Sequence, residues 1–363
     1  MFEVDFTFNE PFTLESGEVL PEVKLRASIY GRLNEDRSNA ILVFHALTGS
    51  SRIGDWWNGL MCNGCALDTS EFAFVCVNYL GSSYGSTSAS TLKKRRAKNG
   101  RSELPIITLL DIARTNSLML EHLGIKKVHA VVGGSVGGML ALQFASDFPE
   151  VADHCVSIAA TPLSAMGLAL NHLQRQAIKQ NDLEMARKIA VVSYKSPRQF
   201  GERFGRNPNR NGENPHESYG DRFDVGGYLD HQGDLFRDRF EIESYELITK
   251  AMDLFDLTDA DIRRIRAKVS LVGISSDWLF PANDVRELTQ RFVHNGVNAA
   301  YFEIDSEDGH DAFLSDTAET SRVLDRVLNG ERTDDPKHYF IGKRRLSSTL
   351  GCYNVLLKKT MPL

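Results

Sequence analysis

One serine in this chain is set among glycines. Gly133-Gly-Ser-Val-Gly-Gly138 places Ser135 in a G-x-S-x-G pattern. The run Val128-His-Ala-Val-Val132 precedes it and Met139-Leu-Ala-Leu-Gln-Phe-Ala145 follows. Strand, glycine turn and helix in that order form the setting of a nucleophile elbow, in which the turn lifts the hydroxyl above a sheet. Flanking glycines let neighbouring backbone pass close to a strained turn. The helix N-terminus then faces the reacting carbonyl and favours negative charge there. A phosphate-binding loop would need Lys-Ser/Thr after the turn, or a G-x-G-x-x-G with a downstream acid, and neither is present.

A serine hydroxyl is a weak nucleophile and needs an adjacent base. In this arrangement the chain order is serine, acid, histidine. Gly309-His310-Asp311-Ala-Phe313 follows the last predicted strand, which makes His310 the expected base. Val269-Ser-Leu-Val-Gly-Ile274 leads into Ser275-Ser-Asp277, so Asp277 follows the preceding strand as the expected orienting acid. The other histidines lack that position: His45 follows an early strand, and His216 and His231 lie in a helical stretch. Two backbone amides should bind the oxyanion. They are expected at Val136, after the nucleophile, and at Leu47, in the loop following Ala40–Phe44.

These residues need a sheet to hold them. Short apolar runs predict strands at Ala40–Phe44, Ala73–Val77, Val128–Val132, His154–Ala159, Val269–Ile274 and Ala300–Ile304. Helical patterns lie between them, clearest at Ile106–Leu123, Gly138–Asp147, Asn283–Asn295 and Thr317–Leu328. Strands alternating with helices predict a mostly parallel sheet flanked by helices, an α/β-hydrolase fold. From about Ala165 to Asp256 no buried strand is evident. That stretch reads as a helical lid insertion, with Leu183–Ser193 and Ser244–Asp253 its clearest helices and the polar Arg206–Gly227 between them. The expected layout is a core of 1–164 and 257–330, a lid of 165–256, and a basic, irregular tail of 331–363.

Bulk properties narrow the class. A chain of 363 residues that is 42% hydrophobic can bury a large core. A net charge of -6 argues against a bulk grip on nucleic acid. The N-terminus is acidic and alternating, unlike a signal peptide, and no apolar run approaches a bilayer span. Five cysteines, Cys62, Cys65, Cys76, Cys155 and Cys352, are an odd count that argues against a disulfide framework and for the reducing cytoplasm. Cys62-Asn-Gly-Cys65 has metal or redox spacing without a second pair. The scattered histidines lack ligand spacing, so no metal is expected.

Taken together the motifs resemble the homoserine O-acetyltransferases, from about residue 10 to residue 330. The resemblance rests on His45-Ala-Leu-Thr-Gly-Ser-Ser51, Asn78-Tyr-Leu-Gly81, Tyr84-Gly-Ser-Thr87, Gly133–Met139, Tyr228-Leu-Asp-His-Gln-Gly233, Ala251-Met-Asp253, Ser275–Pro281 and Gly309-His-Asp-Ala-Phe-Leu314. It implies ping-pong acyl transfer in methionine biosynthesis, with acyl-CoA as co-substrate and no permanently bound cofactor. Ser135 would attack the thioester of acetyl-CoA, and His310 would then activate the hydroxyl of L-homoserine. It also implies that Arg187 and Tyr194 hold the acceptor carboxylate, that Asp311 holds its ammonium group, and that two copies pair through the lid helices.

The chain departs from the family pattern in segments that, in the family it resembles, lie near the substrate tunnel. Ser88–Arg101 replaces a Gly-Pro-Ser-Ser type stretch, Thr108-Leu-Leu-Asp111 has lost an arginine, and Arg239-Phe-Glu-Ile-Glu-Ser-Tyr245 is altered. Acetyl or succinyl donors, and homoserine or serine acceptors, therefore stay open. The basic cluster Lys93, Lys94, Arg95, Arg96, Lys98 and Arg101 is either a solvated loop or an attractor of CoA phosphates. A plain esterase shares the triad and is the competing enzyme reading. A non-catalytic relative would have lost a triad member, and all three are present.

Overall fold

Apolar strands buried on both faces need helices on both sides, and that is the arrangement found. The computed structural model describes residues 1–92, 95–96 and 102–329. Its main sheet has eight strands: β1 Phe2–Phe8, β2 Val23–Tyr30, β3 Ala40–Phe44, β4 Ala73–Val77, β5 Val128–Gly134, β6 Ala152–Ile158, β7 Lys268–Ile274 and β8 Ala299–Ile304. Their spatial order is β1-β2-β4-β3-β5-β6-β7-β8. The first two pairings, β1 with β2 and β2 with β4, are antiparallel. Every pairing from β4 onward is parallel. Apolar clusters lie on both sides, one gathering Leu42, Phe44 and Met139, the other Val43, Val132 and Phe313.

Among the described residues, ten helices have six residues or more: α1 Leu109–His122, α2 Val136–Asp147, α3 Ala165–Lys179, α4 Leu183–Tyr194, α5 Pro197–Phe204, α6 Asp224–Arg237, α7 Ile242–Asp253, α8 Asp259–Arg264, α9 Ala282–His294 and α10 Thr317–Asn329. None of the described helices is long and apolar enough to cross a membrane. α1 opens with a capping box, Thr108 accepting from the Asp111 amide while the Asp111 side chain accepts from the Thr108 amide. The other Asp111 oxygen accepts from the Glu15 amide at 2.8 Å. That local role accounts for the aspartate of Thr108-Leu-Leu-Asp111 without any substrate.

Helices α3 to α8 occupy the chain between β6 and β7. They are tied to one another and to the loops that follow β7 and β8. Asp253 of α7 is ion-paired with Arg175 of α3 and accepts from Asn171. The segment after α4 donates from Ser196 Oγ to the Glu307 carbonyl at 2.5 Å, and its Lys195 carbonyl accepts from Trp278 Nε1 at 3.0 Å. Glu307 and Trp278 belong to the loops after β8 and β7.

The cysteine expectation needs correction. Cys62 and Cys65 form a disulfide. Proximity along the chain brings them together: Gly64 takes a φ of +76° and its amide donates to Asp68 Oδ2, closing a tight turn. This is a local pair, which an argument against a long-range framework did not address. Cys76 and Cys155 are free and buried. The basic cluster lies outside the described residues, except that the backbone of Arg95–Arg96 pairs with Ser102–Glu103. The tail from 331 lies outside them entirely.

Candidate active site

The β5–α2 turn holds Ser135 in a backbone conformation that side chains rarely adopt, φ 59° and ψ -128°. Such conformations cost about 1–3 kcal/mol and persist where the surroundings over-determine them. Here the Ser135 amide donates to the Ile158 carbonyl, and its carbonyl accepts from Gly138 and Met139. Gly137 is required by close approach, since a Cβ there would run into the Phe44 carbonyl. β3 and α2 can therefore pack tightly enough to bring their loops together.

His310 sits in a single turn of 3-10 helix after β8. Gly309 before it has φ +71°, and a Cβ there would lie 2.5 Å from the Ser196 nitrogen. With Nδ1 carrying the proton, His310 donates to Asp277 Oδ2 at 2.7 Å and Nε2 accepts from the Ser135 hydroxyl at 2.9 Å. Asp277 Oδ1 accepts from the Leu279 and Phe280 amides at 2.8 and 3.0 Å, which fixes the carboxylate. All three side chains are nearly excluded from water. Burial alone would push the imidazole down. The Asp277 charge and hydrogen bond, with a smaller push from Asp311, outweigh it and hold His310 above its ordinary value.

Val136 directly follows Ser135 in the turn, and Leu47 lines the same cavity as Ser135. The Val136 amide is at the start of α2, where no carbonyl of its own helix can reach it. Neither it nor the Leu47 amide donates to a protein acceptor among the described residues. The loop carrying Leu47 is closed by a Gly49 amide to Ala46 carbonyl bond at 2.9 Å. Beneath it His45 is fully buried and stacked on Tyr79, ring centres 3.7 Å apart. Burial lowers its pKa to about 4, against a weaker opposing bond to the Ala46 carbonyl, so it is neutral. Tyr79 Oη donates to the His45 carbonyl at 2.5 Å. His45 is thus a structural element of the loop.

A cavity of about 710 Å³ opens over Ser135 and His310. Leu47 and Phe313 line it, and the helices between β6 and β7 contribute Arg187 and Tyr194. Arg187 rests on aromatic faces, 5.1 Å from the ring centre of Phe236 and 5.8 Å from that of Tyr194. No carboxylate pairs with it among the described residues. The Tyr194 ring is 5.7 Å from that of His310. Burial raises the Tyr194 phenol, Arg187 opposing and Asp311 adding, so it remains a hydrogen-bond donor. Asp311 also lines the cavity, but its Oδ2 is already paired with Lys195 Nζ at 3.0 Å.

The structure thus joins Ser135, His310 and Asp277 by hydrogen bonds and places Leu47, Arg187, Tyr194 and Asp311 on the cavity above them, while the basic cluster falls outside the described residues. It adds others that sequence reasoning missed. Arg239, Tyr84 and Trp56 also line the cavity, as do Arg26 and Arg52, which are paired with Asp5 and Glu3 at the rim. Arg239 itself keeps the family pattern, and the departures follow it at Glu241, Ile242 and Glu243, so no signal singled it out. Lys195 gave none, since an exposed lysine is the ordinary reading beside a helix end.

Residues 39–317 match the family model described as alpha/beta hydrolase fold. The sheet order, the strained serine and its hydrogen-bonded partners have the form that fold requires, and the chain belongs to it. The curated relatives narrow the family. A homoserine O-acetyltransferase of Thermus thermophilus is 37% identical, over 89% of this chain and 90% of its own. A homoserine O-succinyltransferase of Aromatoleum aromaticum is 35% identical, over 87% and 93%. The chain therefore belongs to the homoserine O-acetyltransferase family. Among solved structures, the homoserine O-acetyltransferase of Bacillus anthracis superposes with a TM-score of 0.79 at 21% identity, covering 92% of this chain and 99% of its own. Esterase E22 superposes with a TM-score of 0.78 at 19% identity, covering 90% and 99%. At those identities the structural likeness speaks for the fold alone.

Proposed function

We propose that this protein transfers an acyl group from an acyl-CoA, acetyl-CoA in the first place, to the hydroxyl of L-homoserine, as a step toward methionine. The observation that carries this reading is the presence of both Arg187 and Asp311 in the lining of one cavity with Ser135. An amino acid is a zwitterion and needs one charge of each sign. A simple ester needs neither.

In this reading Ser135 Oγ attacks the thioester carbonyl while His310 takes its proton. The Val136 and Leu47 amides hold the oxyanion. The C–S bond breaks, the thiol leaves with the proton from His310, and an acyl ester remains on Ser135. Homoserine then enters, its carboxylate held by Arg187 and Tyr194 and its ammonium by Asp311, which must exchange Lys195 for the substrate. His310 deprotonates the hydroxyl, and the acyl group moves to it. Asp277 keeps the imidazole oriented throughout.

Residues 165–256 act as a lid over a core of 1–164 and 257–330 and exclude water, which would otherwise take the acyl group. α3 and α4 expose Met166, Leu173, Met185 and Val192, which supports pairing of two copies through these helices. The cytoplasm suits the CoA co-substrate. The test is CoA thiol release from acetyl-CoA and from succinyl-CoA, each with L-homoserine, L-serine or no acceptor. Release that depends on homoserine is expected. Equal release without acceptor would overturn the transferase reading in favour of an esterase-type hydrolase.

A further inference from the structure

Cys62 and Cys65 take no part in the machinery of the triad. Their disulfide closes a short turn on the surface, with Cys62, Asn63 and Gly64 exposed and Cys65 half-buried. The backbone already holds this turn. The Cys65 amide donates to the Cys62 carbonyl at 3.2 Å, the Leu67 amide to the Leu60 carbonyl at 3.0 Å, and the Gly64 amide to Asp68 Oδ2 at 2.7 Å. A disulfide across so short a loop also removes little chain entropy. A bond with so small a structural duty, in C-x-x-C spacing and open to solvent, has the setting of a pair that exchanges with other thiols. A second cleft, of about 600 Å³, gives a reagent access to it: Met61 and Asn63, the neighbours of Cys62, line it with Tyr30, Asn58, Thr69 and Ser70.

The turn is joined to the catalytic cavity. Just before Cys62, the buried Leu60 donates its amide to the Trp57 carbonyl at 3.0 Å. Trp57 is fully buried, and its Nε1 donates to the Phe313 carbonyl at 2.9 Å. Phe313 lines the cavity over Ser135, its ring 5.7 Å from that of His310. Trp56 lines the same cavity and donates from Nε1 to the Ser50 carbonyl at 3.0 Å, in the loop that carries Leu47. The freedom of the turn therefore bears on both the base and the oxyanion loop.

We propose that Cys62 and Cys65 form a thiol–disulfide exchange site for a dithiol reductant, and that the state of this pair sets the reactivity of Ser135. A thiolate of the dithiol attacks the exposed Cys62 Sγ, the S–S bond breaks, and Cys65 leaves as a thiolate that takes up a proton. The second thiolate of the dithiol then attacks the mixed disulfide, closes the oxidised partner and releases Cys62 Sγ, which is protonated in turn. The protein pair gains two electrons and two protons, and the dithiol loses the same. In the oxidised form the turn holds Leu60 and Trp57 against Phe313. In the reduced form it relaxes without unfolding, because its backbone bonds remain. In the cytoplasm proposed above, a surface disulfide meets such reductants. The inference needs the triad, not the acyltransferase reading.

The experiment treats the folded full chain with dithiothreitol or with oxidised glutathione and removes the reagent. One portion is blocked with iodoacetamide and peptide-mapped. In the other, the rate at which a fluorophosphonate labels Ser135 is measured, a readout that needs neither donor nor acceptor. Alkylation of Cys62 and Cys65 is expected only after dithiothreitol. The labelling rate should fall about threefold on reduction, within the range that packed side chains transmit between sites, and return on oxidation. The double variant Cys62→Ser, Cys65→Ser should keep the reduced rate under both treatments, which sets aside the buried Cys76 and Cys155 as the source. A pair that dithiothreitol does not open in the folded protein, a pair that oxidised glutathione does not close, or a labelling rate equal in the two states would overturn the proposal. A redox-dependent labelling rate without homoserine-dependent CoA release would uphold it and overturn the acyltransferase reading alone.

Discussion

The two walls of the cavity are built differently. On the sheet edge, each triad group is held by bonds that need no substrate. Asp277 accepts two backbone amides, His310 bridges Asp277 and Ser135, and Ser135 is fixed by its own strained turn. In the helical layer, Arg187 and Arg239 lie on aromatic faces without a counter-charge among the described residues. One wall arrives complete and the other arrives with charges to be answered. Reactivity is preorganised where groups are already paired. Selectivity belongs where a ligand supplies the missing partner, because the wrong ligand leaves a cation without one.

The largest effects should come from the complete wall. Ser135→Ala is expected to lower kcat by about 10⁴-fold or more and to leave no acyl adduct in intact mass spectrometry. A persistent adduct would place the nucleophile elsewhere and dissolve the comparison. Asp277→Asn should cost about 10³–10⁴-fold in kcat, since the imidazole loses its orienting acceptor. Its acceptor KM should stay near that of the unmodified protein. A large KM change would show that the two walls are not separable.

Arg187→Ala should act on the other side. The acceptor KM is expected to rise about 10–100-fold, the scale of a lost charge-assisted contact, with a smaller change in kcat. Steady-state kinetics over a range of homoserine concentrations reads both. The KM for acetyl-CoA is the internal control, because Arg187 is assigned to the acceptor alone. If the donor KM rises as much as the acceptor KM, Arg187 shapes the cavity and does not select within it.

The same division explains what was legible in the sequence. Ser135, Asp277 and His310 were readable because each follows a buried apolar strand in a fixed order, and β3 and β4 fall on the residues their apolar runs marked. β1 and β2 were missed. β1 alternates between polar and apolar residues at the sheet edge, so it offers no buried run to find. The helical layer was visible as helices, but the approach of Arg187 to the Phe236 ring and Arg239 joins positions 49 and 52 residues apart in two different segments. Nothing in periodicity encodes that meeting. The Lys195–Asp311 pair is hidden for the same reason, and the disulfide was missed by asking only about long-range pairing.

Asp311 stands on the seam, following His310 on the sheet side and paired with Lys195 from the end of the helical layer. Its substitution should have the smallest effect of the set and the most informative one. Asp311→Asn removes a negative charge that favours the imidazolium of His310. The sign follows: the folded pKa of His310 falls, the neutral base survives to lower pH, and the acid limb of the kcat/KM profile moves to lower pH. If Asp311 also meets the acceptor ammonium, homoserine KM should rise about 3–10-fold, since the site is part-exposed and screened. Lys195→Met separates the two effects. It frees Asp311 from its internal partner, so the acceptor KM should fall while Asp311 keeps its charge beside His310. A shifted pH limb with an unmoved KM in both variants would confine Asp311 to tuning the base, and the acceptor ammonium would have to be met by another group in the cavity.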